Sequence, residues 1–282
     1  MKTAIITDSA ANLSKEFIKK HKNLHVIPLM ILVDEVSHRD QVEISAEEVY
    51  NQLDSKQIST SLPSIEDLTN LLDDLKKQEY TDVLVINISS GLSGTFNAFR
   101  LVFEDYEGLN ITHYDSKTLG GAQGFIVEYA LELLKEKKTP TEIVPLLDTL
   151  RYEDSMAIYT IETLKYLRKG GRIGKVEGTI GDILKVKPVI TVNDEGVYIT
   201  LSKSFGIQRS LIAMKKLLTE KFGNDLIDFT IHYGNDSTKA EALGNKLQNE
   251  LNIRNLSLSA LTPVLGIHTG PQMFAYIVRR IK

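Results

Sequence analysis

Strand-like apolar runs alternate with amphipathic helical patterns along almost the whole of this 282-residue chain. Such alternation is typical of α/β proteins, in which helices pack as layers against a sheet. We predict strands over residues 3–6, 26–33, 82–88, 111–114, 157–161, 188–192, 197–201 and 227–232. We predict helices over residues 64–78, 93–103, 121–137, 140–151, 207–221, 236–250 and 271–281.

The arrangement of these elements changes part-way along the chain. Up to about residue 160 the pattern is one of regular strand–helix units, which favours a parallel sheet. After it, the strands at 188–192 and 197–201 flank a turn at 193–196, and such a hairpin indicates a mixed sheet. We therefore predict two α/β domains, a Rossmann-like N-terminal domain at 1–160 and a mixed-sheet C-terminal domain at 161–282.

Composition excludes several classes of function. A formal net charge of −4 argues against a nucleic-acid-binding protein, which needs a concentrated basic surface. The chain has no cysteine, so disulfides, thiolate metal sites and a cysteine nucleophile are all excluded. No metal-ligand spacing and no dinucleotide-binding glycine motif occurs, and we predict neither a metal nor a cofactor. The first residues lack a signal-peptide pattern, and the apolar run at 26–33 is too short to cross a bilayer, which predicts a cytoplasmic location.

A turn of small residues at 89–95 joins a predicted buried strand to a predicted helix. Unpaired backbone N–H groups and the helix dipole make such a turn favourable for an anion. The turn contains no lysine or arginine, and aromatic residues follow it directly. This combination suits the head group of an amphiphile better than it suits a nucleotide.

A second group of hydroxyl side chains precedes the helix at 64–78. We interpret Ser64, three residues before Asp67, as the N-cap of this helix. Thr60 and Ser61 lie before the cap and have no local structural role of this kind. Hydroxyls can donate hydrogen bonds to a carboxylate without adding a permanent charge to an apolar pocket.

The turn at 89–95 also resembles part of a hydrolase nucleophile elbow centred on Ser93. The full elbow has a glycine two places after the serine, where this chain has Thr95. His268 lies in a glycine-bounded stretch, 266–271, which we predict to be a loop leading into the last helix. A Ser93–His268 pair therefore remains an alternative reading.

Two further motifs have both a structural and a functional interpretation. Asp8, in the sequence Thr7-Asp8-Ser9 after the first strand, either contributes to a site or caps the helix that starts near Ser14. The basic turn at 164–173, which includes Lys169 and Arg172, either meets an acidic ligand or partner, or complements the dipole at a helix end.

Together these motifs closely resemble those of the DegV family of bacterial fatty-acid-binding proteins, which includes FakB, the lipid-carrying subunit of fatty acid kinase. Each motif is weak alone, whereas the ordered set is specific and spans nearly the whole chain. The motifs that carry the resemblance lie at 7–9, 60–64, 89–95, 115–117, 164–173, 184–188 and 266–271.

The resemblance implies two α/β domains that enclose a fatty acid between them. It implies that Thr60 and Ser93 hold the carboxylate, that Gly94 adds a backbone N–H, and that His268 is a polar neighbour of the head group. Ser61 and Arg172 are implied as further contacts with the head group or a partner. The chain departs from the family at Leu62, where many members have glutamine, and at 272–273, where small residues are common.

On this reading the protein is a carrier in phospholipid precursor metabolism rather than an enzyme. It would present a long-chain fatty acid to a separate fatty acid kinase, carry away the acyl phosphate, and make transient contact with a membrane surface. Burial of each methylene contributes about 0.8 kcal/mol, so a soluble carrier must enclose the chain. We expect five aromatic residues to line the tunnel: Phe96, Phe99, Phe103, Phe125 and Tyr129. One alternative is a serine hydrolase. A second is a kinase in its own right, which the absence of a nucleotide-binding motif disfavours.

Overall fold

The computed structural model describes residues 2–176 and 186–281. Its strands are β1 (Thr3–Asp8), β2 (Leu24–Ile27), β3 (Met30–Val33), β4 (Val36–Arg39), β5 (Ile58–Ser61), β6 (Asp82–Asn87), β7 (Asn110–Asp115), β8 (Ser155–Ile161), β9 (Val186–Val192), β10 (Tyr198–Phe205), β11 (Ile227–Tyr233), β12 (Ile253–Ala260) and β13 (Met273–Arg280). The helices are α1 (Lys15–Lys20), α2 (Ala46–Gln52), α3 (Ile65–Lys77), α4 (Thr95–Glu104), α5 (Gly120–Lys135), α6 (Pro140–Thr149), α7 (Lys165–Lys169), α8 (Ile207–Phe222), α9 (Ser237–Gln248) and α10 (Pro263–Thr269). None of these helices is long and apolar enough to cross a membrane.

The first sheet is parallel and has helices on both faces. Its strand order is β2-β1-β6-β7, and all three neighbouring pairs are parallel. Ile5 and Leu84 pack in one core with residues of α5 and α6, while Ile6 and Val85 pack in another with residues of α3 and α4. Because both of their faces are buried, the central strands β1 and β6 are largely continuous apolar runs, which is why the sequence predicts them well.

A second, small antiparallel sheet has the order β4-β3-β5. The predicted strand at 26–33 is in fact two strands, since the chain leaves the parallel sheet at Pro28 and enters this one at Met30. Asp34 and Glu35 form the β3–β4 turn with φ of 48° and 69°. Left-handed turns of this type usually carry asparagine or glycine, so the hairpin has only a weak signal in the sequence.

The third sheet is mixed and has the order β10-β9-β8-β13-β11-β12. The β11–β12 pair is parallel, and the other neighbouring pairs are antiparallel. One face packs against α8 and α9, whereas the opposite face joins a core that also contains residues of β3, β5 and α10. This shared core brings the C-terminal sheet against the N-terminal half of the chain.

The predicted helix at 271–281 is wrong, because these residues contain the central strand β13. Phe274, Tyr276 and Val278 face α8 and α9, while Ala275 and Ile277 face the shared core. A strand buried on both faces loses the alternation that marks a strand in the sequence, and Pro271 before it imitates a helix start. The sequence pattern predicts no strand at Ile253–Ala260, where the structure has the edge strand β12.

The chain enters the six-stranded sheet at β8, which ends at Ile161. The division into domains at 1–160 and 161–282 stays a prediction. Leu184 and Lys185, part of the motif at 184–188, lie outside the described residues.

Candidate ligand site

Asp8 is buried at the carboxyl end of β1 and is hydrogen-bonded to the loops that follow β1 and β6. Its carboxylate accepts hydrogen bonds from the Asn87 side chain (2.9 Å) and from the backbone N–H groups of Ile88 (2.8 Å) and Ala10 (3.1 Å). Burial raises the pKa of this carboxyl group, and the hydrogen bonds oppose that rise. Asp8 therefore caps a 3₁₀ turn at Ser9–Ala11 and fixes the start of the loop after β6, while Ser14 caps α1.

Ser93 and Gly94 stand at the start of α4. The Ser93 hydroxyl accepts from the Thr95 N–H at 3.3 Å and lies 2.8 Å from the Thr95 hydroxyl. The Gly94 carbonyl accepts the first helical hydrogen bond, from Ala98 at 2.9 Å. The N–H groups at a helix start carry partial positive charge, so this end of α4 favours an anion.

Thr60 and Ser61 end strand β5, where Thr60 pairs with Ile31 of β3. The Thr60 hydroxyl lies 3.1 Å from Nε2 of His268, a residue 208 positions away in the chain. Ser61 is exposed beside it.

His268 lies in the last turn of α10 and not in a loop, which corrects the sequence prediction for 266–271. The helix starts where Asp40 accepts from the Thr262 hydroxyl (2.6 Å) and the Val264 N–H (3.0 Å). It ends at Gly270, whose φ of +76° is a backbone conformation that glycine adopts readily. The anchoring residue Asp40 is distant in sequence, which is why no local signal predicted the helix.

Burial lowers the pKa of His268 to about 4, and the positive charge of Arg172 acts in the same direction. The imidazole is therefore neutral near pH 7. Its Nδ1 is buried and has no hydrogen-bond partner among the described residues. A Cβ atom added to Gly170 would lie 2.1 Å from this nitrogen, so the ring packs directly on the Gly170 backbone.

The two basic side chains of the turn at 164–173 have different positions. Arg172 lies at the cavity, whereas Lys169 is bonded to backbone carbonyls elsewhere in the protein. Arg172 donates to the Gly170 carbonyl at 2.6 Å and to the Leu92 carbonyl at 3.4 Å. Lys169 donates to the carbonyls of Leu53 (3.2 Å) and Lys56 (3.4 Å), just beyond the end of α2. Lys169 therefore complements a helix C-terminus, as one of the two readings of this motif predicts.

These segments surround a cavity of about 240 Å³. All six residues named from the sequence line it: Thr60, Ser61, Ser93, Gly94, His268 and Arg172. Its other walls are Leu29, Leu62, Ile88, Leu92, Leu119, Tyr198, Val264 and Leu265. A smaller, largely apolar cavity of about 50 Å³ adjoins it and shares Leu119, Tyr198, Leu265 and His268. Together they approach the lower end of the 300–1,000 Å³ typical of ligand pockets, at about 300 Å³.

The structure does not bring the five predicted tunnel aromatics into either cavity. Phe96 stacks on His113 with ring centroids 3.9 Å apart, and Phe99 packs between the first sheet and α3. Aromatic spacing on a helix predicts a buried face without saying which core that face enters. Most of the apolar residues that do line the cavities lie within strands, in the loops after strands or on α10, and their positions had no distinguishing signal.

The geometry does not favour a hydrolase. The Ser93 hydroxyl is hydrogen-bonded to the Thr95 hydroxyl, and His268 Nε2 is hydrogen-bonded to the Thr60 hydroxyl. Among the described residues no carboxylate bonds to the His268 ring, so the orienting acid of a catalytic triad is missing there.

The sequence model described as "Uncharacterised protein, DegV family" matches residues 2–280. The chain belongs to the DegV family. A DegV domain-containing protein of Clostridium acetobutylicum is 36% identical over 277 residues, which are 98% of each chain. Another, from Clostridium perfringens, is 37% identical over 279 residues, 99% of each chain.

Solved DegV structures have the same fold. A fatty-acid-binding family member from Thermus thermophilus matches with a TM-score of 0.92 and 26% identity over 100% of both chains. A stearic-acid-binding protein from Eubacterium ventriosum has a TM-score of 0.87 and 29% identity, with 99% of this chain and 98% of that one covered. The fatty acid kinase (Fak) B3 protein of Streptococcus pneumoniae, loaded with linoleic acid, covers both chains fully at a TM-score of 0.83, and its 18% identity shows the fold alone. The predicted parallel-sheet N-terminal domain and mixed-sheet C-terminal domain are thereby confirmed.

Proposed function

We propose that this DegV protein binds a long-chain fatty acid with its carboxylate in the larger cavity. The observation that carries the proposal is the convergence of Thr60, Ser93 and His268, from three distant segments, on a cavity whose remaining walls are mostly apolar. The fatty acids described for family members of the same fold support it.

The neutral imidazole of His268 determines how the carboxylate is held. A neutral ring with its proton on Nε2 donates to the Thr60 oxygen, and the Thr60 hydroxyl is then free to donate to the ligand. The Ser93 hydroxyl and the Gly94 N–H add donors at the start of α4, and Arg172 adds positive charge nearby. Each hydrogen bond to a charged group contributes roughly 1.5–3 kcal/mol.

The acyl chain extends from this head-group site along the apolar walls and into the smaller cavity. Leu119 and Leu265 line both cavities and therefore mark the path between them. Burial at about 0.8 kcal/mol per methylene supplies most of the affinity, and the hydroxyls fix the orientation. One residue from each family departure lines a cavity, Leu62 the larger one and Met273 the smaller one.

The bound acid is presented to a separate fatty acid kinase, which converts the carboxylate to an acyl phosphate. The exposed Ser61 and the 45% exposed Leu62 lie at the rim of the carboxylate cavity, so a partner can approach the head group there. Loading and release involve transient contact with a membrane surface. In this scheme the protein is the binding subunit, and catalytic groups belong to the kinase.

Native mass spectrometry of the purified protein tests the binding step. We expect an adduct with the mass of a long-chain fatty acid, which is lost under denaturing conditions. The stripped protein should regain it from added hexadecanoate but not from hexadecanol, which lacks the carboxylate. Equal uptake of the alcohol, or no uptake of the acid, would contradict the proposal. Transfer of phosphate to the bound acid by an added bacterial fatty acid kinase catalytic subunit tests presentation separately, with hexadecanoate in micelles as the control.

A further inference from the structure

The motif at 115–117 has no part in the proposed function, although it is one of the motifs that carry the resemblance to the DegV family. Asp115 is the last residue of β7, which lies next to β6 in the parallel sheet. The loop after β7 therefore lies beside the loop after β6, which leads to Ser93 and Gly94. This arrangement brings the charged side chains of Asp115 and Lys117 to the turn at 89–95.

Both charged side chains bind Ser90. The Asp115 carboxylate accepts from the Ser90 N–H at 3.1 Å, and the Lys117 ammonium donates to the Ser90 hydroxyl at 3.0 Å. The two charged groups also form an ion pair of 2.8 Å, with their side chains only 29% and 14% exposed. Burial would raise the pKa of Asp115, but the hydrogen bonds from Lys117 and Ser90 outweigh it and hold that pKa below its usual value. Ser90 is therefore held by two groups of opposite charge.

Lys117 has a backbone conformation that is unfavourable for a lysine. Its φ of 50° lies in the left-handed region, which glycine and asparagine adopt more readily. Asp115 stabilises the turn by accepting from the Lys117 N–H at 3.1 Å, and Arg151 donates to the Lys117 carbonyl at 2.8 Å. Neither of these bonds needs a lysine side chain. What the side chain adds is the ammonium at Ser90 and a stem that packs on Gly196, where an added Cβ would lie 3.0 Å from Lys117 Cδ.

One hydrogen-bonded turn connects Ser90 to Ser93. The Ser89 carbonyl accepts from the Leu92 N–H at 3.0 Å and from the Ser93 N–H at 3.1 Å. Because Ser90 lies inside this turn, its position determines where Ser93 and the N–H groups at the start of α4 stand. A site that is already held in its binding geometry loses less conformational freedom when the ligand arrives, and it binds more tightly for that reason.

We propose that Lys117 is a positioning residue, which acts through Ser90 to hold the start of α4 in the geometry that binds the carboxylate. This inference rests on the proposed binding of a fatty acid. Neither Lys117 nor Ser90 lines either cavity, so the effect of both on the ligand is indirect.

Displacement of a fluorescent fatty acid tests the inference with Lys117→Met, which removes the ammonium and keeps most of the stem. We expect hexadecanoate to bind about fivefold more weakly, a loss equivalent to one hydrogen bond. Ser90→Ala should lose a similar amount, and the double variant no more than either single one, because both substitutions break the same contact. Lys215→Met is the matched control, since Lys215 also forms an ion pair of 2.8 Å, with Glu250, and lines neither cavity. Its affinity should equal that of the wild type.

Tetradecanoate, measured beside hexadecanoate, separates positioning of the head-group site from general loosening of the protein. Lys117→Met should weaken both acids by the same factor, because the two additional methylenes of hexadecanoate are buried as before. A loosened protein would instead lose part of the affinity gained per methylene. Thermal melts determine whether each variant is folded, and Ser90→Ala carries the test if Lys117→Met is not.

Wild-type affinity in folded Lys117→Met or in Ser90→Ala would overturn this inference and leave the proposed function intact. Additive losses in the double variant would overturn it too, because Lys117 would then act by a route other than Ser90. An equal loss in Lys215→Met, or unequal factors for the two acids, would assign the effect to general destabilisation and reject a positioning role. If the wild type binds neither acid, the proposed function fails and this inference fails with it.

Discussion

The direction of the Thr60–His268 hydrogen bond decides what Thr60 can offer a ligand. A protonated His268 would compete for an anion with its own charge, whereas a neutral ring with its proton on Nε2 donates to Thr60 and leaves the Thr60 hydroxyl free to donate to a ligand. Ser93 has a second duty, because its oxygen also accepts the Thr95 N–H at the start of α4. The two hydroxyls are thus held in place by different neighbours and can be tested independently.

We expect Thr60→Val and Ser93→Ala each to weaken fatty acid binding by about tenfold or more, since each removes a donor to a charged group. Thr60→Ser keeps the hydroxyl and serves as the matched control, with affinity close to that of the wild type. Displacement of a fluorescent fatty acid gives the affinities. Unchanged affinity in both donor-deleted variants would remove these residues from the head-group site.

Gly170→Ala is expected to displace His268, because the new methyl group would lie 2.1 Å from Nδ1 of its ring. Loss of the Thr60 contact should reduce affinity about as much as Thr60→Val does. Gly171→Ala is the control, since a Cβ there meets no atom within 4 Å although φ is +70°. It carries the backbone strain of about 1–2 kcal/mol without the clash. Gly170 has an ordinary φ of −81°, so its substitution adds the clash without that strain. An equal loss of affinity in both variants would show that disturbance of the turn, and not the contact with His268, accounts for the effect.

At the scale of elements, α10 carries the site and depends on a distant residue for its position. Asp40 caps the helix from the N-terminal half of the chain, and Asn12 accepts from the Thr262 N–H at 2.6 Å. The sequence identified His268 as a candidate but assigned its surroundings to a loop. Helix capping by a residue far away in sequence leaves no local pattern, which is the reason for that error.

Asp40→Ala should lower both stability and fatty acid affinity, because it leaves the Val264 N–H and the Thr262 hydroxyl without their buried acceptor. Asp236→Ala is the matched control, as Asp236 caps α9 by accepting from the Lys239 N–H at 2.9 Å on the exposed surface. The control should lose about 1 kcal/mol of stability and no affinity. Denaturant unfolding and ligand displacement, run on both variants, separate the two effects. An affinity loss shared by the control would show that general destabilisation explains the result.

At the scale of the whole molecule, the cavity forms where the N-terminal sheet and the C-terminal sheet meet. The Ser89 hydroxyl donates to the Gly196 carbonyl at 2.7 Å, which ties the loop after β6 to the β9–β10 turn. Arg151 strengthens the same junction by donating to the carbonyls of Lys117 (2.8 Å) and Asn193 (3.0 Å). Thr60, Ser61 and Ser93 were predictable as candidates, because short hydroxyl side chains after a strand or before a helix are visible in the sequence. The apolar residues that line the cavities were not predictable, since their positions depend on how the two sheets pack.

The last prediction concerns the pH dependence of folding through His232, which is buried between the two halves of the molecule. Its Nε2 accepts from the Gly121 N–H, and burial lowers its pKa from 6.5 to about 4. Between these values the unfolded chain binds a proton that the folded protein does not, so this residue makes the free energy of unfolding fall as pH falls from 6.5 towards 4. One proton corresponds to at most about 1.4 kcal/mol per pH unit.

We expect His232→Gln to reduce that slope by up to this amount, measured by urea unfolding at a series of pH values. Other groups titrate in the same range, including Glu128, whose pKa burial raises to about 7 and whose contribution has the opposite sign. Their contributions cancel when the slopes of wild type and variant are compared. NMR titration of the His232 ring in the intact protein gives a second measurement that does not require the variant to fold. A ring that gains its proton near pH 6.5 in the folded state would contradict the prediction, because His232 would then make no difference to the slope.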